Sequence, residues 1–168
     1  MSGARIQETK QAAARRQRLF LAVVDDSPER AVALRYAALA AARGGGRVAL
    51  LRVVEPPGQT EWAGVAEMMR AERRADAEQL LQGLAAEVNR LTGAVPVLFV
   101  REGDARDELL KLLAEEPAIS VLVLASSTSS EGPGPLITAL TGRYNRVLRI
   151  PLVIVPGSLT DEELDTVT

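Results

Sequence analysis

Asp25, Asp26 and Ser27 follow directly on the apolar run LFLAVV (19–24), which puts two carboxylates and a hydroxyl at the end of a buried strand. The carboxyl edge of a parallel sheet is where α/β proteins hold their ligands. Two compatible readings stand for this trio: contact with a ligand, or capping of the following helix. Paired carboxylates also hold Mg²⁺ or move protons. Adjacent strand-end residues point in different directions, however, so alone they make a poor clamp. The second candidate is SSTSSEGPGPLITALTGRY (126–144), small and polar, leaving the apolar run ISVLVLAS (119–126). Such a segment either cradles a phosphate or turns a corner. Hydroxyls of Ser126 and Ser129 can donate, and Gly132 and Gly134 can open backbone N–H groups into an anion nest. Against this, Pro133 and Pro135 each remove a donor, and Glu131 brings negative charge to where a phosphate would come.

Composition narrows the chemistry. The 168 residues contain no cysteine and no histidine. That removes disulfides, thiol nucleophiles, Cys/His zinc sites and serine–histidine triads. A hydrolase would be left with carboxylates, lysine or a carboxylate-bound metal. A net charge of −2 argues against a general nucleic-acid or membrane-surface binder. The start of the chain has no signal-peptide core, and no apolar run approaches the roughly 20 residues of a membrane helix. The expectation is one cytoplasmic domain.

The elements that must position these residues alternate. LFLAVV (19–24) reads as a strand, followed by an alanine-rich helix with Ser27 as cap, Pro28 in its first turn and the glycines at 44–46 as its stop. RVALLRVVE (47–55) is a second strand. A long helix from about Trp62 to Thr92 carries the stripe Leu80, Leu81, Leu84, Val88 and Leu91. Trp62, Met68 and Met69 lie at its start, where a tryptophan anchored to the core is the simpler reading and a flap the other. VPVLFVREG (95–103), a helix over 104–117 capped by Asp104, the strand at 119–126, a helix over ALTGRYNRVLR and the strand IPLVIVPG (150–157) complete the series. Continuous apolar strands alternating with helices predict a parallel sheet covered on both faces. Residues 1–18 read as a loose basic arm. Residues 158–168 read as an acidic tail, with Thr160 able to cap a short helix that has little to bury. Arg143, Arg146 and Arg149, spaced by three, suit one flank of a helix, either solvated, paired with the tail, or reaching a phosphate.

Over about 19–157 the sequence resembles the universal stress protein family. The resemblance rests on LFLAVVDDSPERAVALRYAALAAA, RVALLRVVEPP, VREGDARDELLKLLAE and RVLRIPLVIVP, in that order and spacing. It implies a five-stranded parallel sheet of order 3-2-1-4-5 with helices on both faces, a Rossmann-like fold of the adenine nucleotide alpha hydrolase type. It implies dimers paired through the last strand, here Pro151, Leu152, Val153, Ile154 and Val155. It also implies roles in stress tolerance and signalling, with ATP or a related adenine nucleotide bound in some members and Mg²⁺ only alongside it.

The resemblance assigns Asp25 to the adenosine half of a nucleotide, with Asp26 standing where a glycine is usual. Val53 and Val54 could line an adenine pocket, although core packing is the stronger reading. Gly103 matches a glycine that permits close ligand approach, and a plain turn would need it as well. ATP-binding members carry G-x2-G-x9-G-[S/T]. Counted back from Gly142, the second glycine is Gly132, the first is replaced by Ser129 and Arg143 takes the hydroxyl position. Counted forward from the fourth strand, the first two positions fall on Ala125 and Thr128. The loop is therefore a remodelled version of the pattern. The expectation is a binding or signalling module, the alternatives being a dimeric interaction protein without nucleotide or a slow ATP hydrolase using Asp25 or Asp26.

Overall fold

A computed structural model describes residues 17–60 and 62–168; most of the basic arm (1–18) lies outside them. The chain alternates β1 (Leu19–Val23), α1 (Arg30–Gly44), β2 (Arg47–Val54), α2 (Ala63–Thr92), β3 (Val97–Glu102), α3 (Ala105–Glu115), β4 (Ile119–Ser126), α4 (Pro135–Thr141), β5 (Leu152–Pro156) and α5 (Asp161–Val167). All five strands are parallel, in the order β3-β2-β1-β4-β5. That is the expected sheet. Every crossover carries a helix, because parallel neighbours cannot be joined by a tight turn.

Both faces of the sheet are buried, which is why its strands are apolar throughout. Phe20, Ala22, Val24, Leu50, Val121 and Val123 face α1, α2 and α5. Leu19, Leu21, Val23, Leu51, Leu122 and Leu124 face α3 and α4. Ala33, Ala37, Ala38 and Ala41 are fully buried on α1. Their small side chains let that helix lie close over β1 and β4. In α2 only Ala77, Leu81 and Val88 are fully buried, while Leu80, Leu84 and Leu91 are half-buried against the same core. The stripe is right and its depth is graded.

Three expectations are corrected. The helix at ALTGRYNRVLR is confined to Pro135–Thr141: the backbone at Gly142 leaves helical geometry, with φ −98° and ψ −114°, and turns follow. Arg143, Arg146 and Arg149 therefore share no helix flank and are all exposed. The acidic tail buries more than its composition suggests. Thr160 and Glu163 close a capping box at the start of α5, and Leu164 is completely buried in the core. Its carboxylates meet α1, where Arg35 lies 2.9 Å from Asp165 and 3.6 Å from Asp161, and Arg43 donates to the Asp165 carbonyl. Trp62 is 83% exposed, so it does not anchor the start of α2. Among the described residues no helix is long and apolar enough to cross a membrane.

Candidate functional site

The strand order reverses between β1 and β4: β2 and β3 extend to one side of β1, β4 and β5 to the other. At such a point the helices leave the sheet in opposite directions and open a crevice at the carboxyl edge. Two clefts lie there, and they meet at Val23, Asp25, Pro135, Leu136 and Ala139. The smaller, about 690 Å³, lies between the start of α1 and the β4–α4 loop. The larger, about 1000 Å³, runs over the ends of β1, β2 and β3 to the start of α3.

The carboxylates of the first candidate trio diverge. Asp25 lines both clefts, and its Oδ1 accepts from the backbone N–H of Ser27 at 3.0 Å and from the Ser27 hydroxyl at 2.6 Å. The Ser27 hydroxyl is thus turned back onto Asp25 rather than capping α1, whose N-cap position is Glu29 with no side-chain cap bond. Asp26 lines only the larger cleft, where its Oδ1 accepts from Arg52 Nη2 at 2.9 Å. Arg52 Nη1 donates to the Val24 carbonyl at 3.1 Å, while Nε is buried without a partner among the described residues. Arg52 thereby braces the β1–α1 turn from β2. Among the described residues no group of three or more acidic side chains is placed to hold a metal ion.

Val54 and Gly103 form the floor and corner of the larger cleft. Gly103 donates its N–H to the Val54 carbonyl at 3.0 Å and holds φ at +143°, a region that side chains disfavour. The α3 start beside it is capped by Asp104, which accepts from Asp107 N at 3.0 Å. Arg106, on that first turn, lines the cleft and stacks its guanidinium 4.6 Å from the Tyr144 ring centre. Its pKa is raised, chiefly by the hydrogen bond to Asp107. Arg73 closes the far wall and donates to the Glu55 carbonyl at 2.8 Å.

The β4–α4 loop divides the second set of candidates. Ser129 and Gly132 line the smaller cleft. Ser126, Gly142 and Arg143 line neither cleft. The Ser126 hydroxyl turns toward the Val155 carbonyl at 3.5 Å. Gly142 ends α4, donating to Thr138 O at 3.1 Å. The Arg143 guanidinium sits 5.9 Å from the Tyr144 ring centre.

Within the loop four backbone donors are already engaged. Ser127 N donates to Pro133 O at 3.0 Å, Ser129 N to Ser127 Oγ at 3.1 Å, and Glu131 N to Ser129 Oγ at 3.1 Å. Thr128 turns both its N–H and its hydroxyl onto the Glu29 carboxylate, at 3.0 and 2.8 Å. Glu29 is 7% exposed and lines the smaller cleft. The backbone N–H of Thr128, then its hydroxyl, hold this carboxyl below its ordinary pKa despite burial. Behind it, a side chain on Gly157 would collide with the Ser126 carbonyl and with Glu29 Cγ, so only glycine fits there.

Sequence reasoning missed Glu29, Thr128, Arg52 and Arg106 as parts of the site. Arg52 left a signal, since it interrupts an otherwise apolar strand. The Glu29–Thr128 contact left none, because the two residues lie 99 positions apart.

A sequence model of the universal stress protein family matches residues 18–156. The chain belongs to the universal stress protein family. No curated protein sequence matches it. Solved structures with the same fold include the universal stress protein of Lactobacillus plantarum, at TM-score 0.69 and 15% identity, covering 82% of this chain and 97% of that one. A universal stress protein solved in complex with cAMP aligns at TM-score 0.59 and 15% identity, covering 84% and 98%. The Archaeoglobus fulgidus universal stress protein in complex with dAMP aligns at TM-score 0.52 and 18% identity, covering 83% and 97%. Like them, this universal stress protein has the adenine nucleotide alpha hydrolase-like fold.

Proposed function

We propose that this universal stress protein is a binding and signalling module of the stress response that takes an adenine nucleotide across the two clefts. The observation that carries this reading is the meeting of the clefts at Asp25, at the reversal of strand order. The larger cleft offers Val53, Val54 and Leu80 to the flat faces of a purine and polar groups at its rim, the usual make-up of a small-molecule site. Asp25, between the clefts, is an acceptor for ribose hydroxyls. The smaller cleft faces the phosphate end. The cAMP and dAMP complexes of two relatives support the same ligand class.

Two measurements test it. The purified protein is denatured and the supernatant chromatographed for adenine nucleotide, and its melting midpoint is followed with millimolar AMP, cAMP and ATP. Released nucleotide, or a midpoint raised by any of the three, is the expected result. No nucleotide and no shift with all three overturns the reading and leaves an interaction protein without nucleotide.

Two copies, we also infer, pair through β5. The strand is an edge of the sheet, so one side of its backbone has no partner strand among the described residues. Ile154 exposes 41% of its surface on it, whereas Val155 is buried in the core. Ile154→Lys is therefore the informative variant, since it charges the edge without filling the core. Light scattering should report twice the chain mass for the native protein and a single mass for Ile154→Lys. A folded variant that stays dimeric moves the interface elsewhere.

A further inference from the structure

We infer that Glu29 sets the class of nucleotide this site takes: a nucleoside monophosphate or cyclic monophosphate in preference to a di- or triphosphate. The inference rests on the adenine-nucleotide reading above and narrows it.

A phosphate loop works by presenting several unengaged N–H donors and a locally positive field. Here the N–H groups of Ser127, Thr128, Ser129 and Glu131 are used inside the protein. That leaves those of Gly132 and Gly134 as the loop's donors on the cleft wall, enough for one phosphate and not for a chain of three. The acceptor for Thr128 is itself an anion, so the Glu29 carboxylate does for this loop what a phosphate does for others. It cannot swing away cheaply. Its carboxylate is tied to two donors of Thr128, and its Cγ packs over Gly157 so closely that the glycine has no room for a side chain. The hydrogen bonds from Thr128 also keep it ionised through the physiological range.

The rest of the smaller cleft has the same sign. Asp25, Glu29 and Glu131 line it against Arg30 alone. The Nη1 of that arginine is already on the Asp25 carbonyl at 2.9 Å. Each further phosphate enters this acidic recess and is repelled by charges a few ångströms away. The arginines Arg52, Arg73 and Arg106 line the other cleft. A single phosphate can stay at the junction near Asp25 and α4; a chain of three must go deeper.

Isothermal titration at one ionic strength, with AMP, cAMP and ATP, and with ATP repeated in Mg²⁺, tests this on the native protein and on Glu29→Gln. The amide keeps the size of the side chain and an acceptor for Thr128 while removing the charge. The native protein should bind AMP or cAMP at least about tenfold more tightly than ATP, and Glu29→Gln should shrink that ratio by about tenfold. Glu131→Gln, which removes a cleft charge without touching the buried contact, should shrink it by about threefold and carries the test if Glu29→Gln fails to fold. A native protein that binds ATP as tightly as AMP overturns the inference while leaving the adenine-nucleotide reading intact. So does an unchanged ratio in the folded variants. No binding of any adenine nucleotide by the native protein removes the underlying reading itself, and this assignment with it.

Discussion

The two clefts that meet at Asp25 are walled in different ways. The larger is braced by arginines: Arg52 joins the β1–α1 turn to β2, Arg73 ties α2 to Glu55, and Arg106 lies across Tyr144. These guanidiniums are partly exposed and each retains donors that a ligand could share. The smaller is braced by one buried carboxylate, Glu29, which consumes donors of the loop it holds. Both clefts are made by strand ends and helix starts, yet one wall is adaptable and the other is closed on itself. A cleft's binding capacity therefore depends on which side chains brace it as well as on where it lies in the sheet.

The comparison can be strained at its glycines, where the largest effect is expected. Gly157→Ala places a methyl group against the Ser126 carbonyl and Glu29 Cγ, so either the β5 end or the buried carboxylate must move. It should cost about 3 kcal/mol, read as a lowered denaturant midpoint at unchanged slope. A neutral Gly157→Ala would mean that the Glu29 wall is as pliable as the arginine one. Gly103→Ala, in the larger cleft, meets only the flexible Glu108 side chain at 3.1 Å, and its cost comes from the backbone at φ +143°. About 1–2 kcal/mol is expected by the same measurement.

Acid separates the clefts further. The folded Glu29 carboxyl titrates below its ordinary value of 4.5. A group so depressed adds stability above the unfolded value, and that stability is lost as pH falls through the folded one. Melting midpoints recorded downward from pH 5 should fall for the native protein. Thr128→Val removes the hydroxyl donor, and its curve should be lower at neutral pH and flatter in acid. Parallel curves would show that the Thr128 hydroxyl does not contribute to the titration.

The smallest effect belongs to Arg106→Gln, which removes a ring contact and a pairing with Asp107 at a partly exposed site. The denaturant midpoint should barely move, since an exposed ion pair and ring contact contribute little. If Arg106 attends the nucleotide in the larger cleft, affinity for AMP falls by more than stability does.

Much of the scaffold was legible from composition and punctuation. ISVLVLAS forms β4 over the same residues, Asp104 caps α3 and Thr160 caps α5, since each depends on neighbours within a few positions. The strand order was legible only through family resemblance, because apolar runs covered on both faces carry no period that names their neighbours. The helix around Arg143, Arg146 and Arg149 was misjudged at Gly142, whose backbone ends α4 where side-chain spacing alone would continue it. Asp25 and Asp26 were found as cleft residues from their place after a strand, and Ser129 and Gly132 from the glycine pattern counted back from Gly142. Gly142 and Arg143, selected by the same pattern, and Ser126, taken from the end of the fourth strand, line neither cleft.

The alternation of strand and helix, the burial of both sheet faces and the position of the cleft-bearing edge follow from the sequence by itself. Local propensity and hydrophobic pattern act over a few residues and suffice for these. Which acid meets which donor was decided by tertiary structure alone. Glu29 at the start of α1 reaches Thr128 only because β1 and β4 lie side by side, with no side chain at Gly157 to fill the space. A carboxylate read along the chain is a helix-start residue. Brought against the loop of another strand, it becomes the charge that lines the smaller cleft.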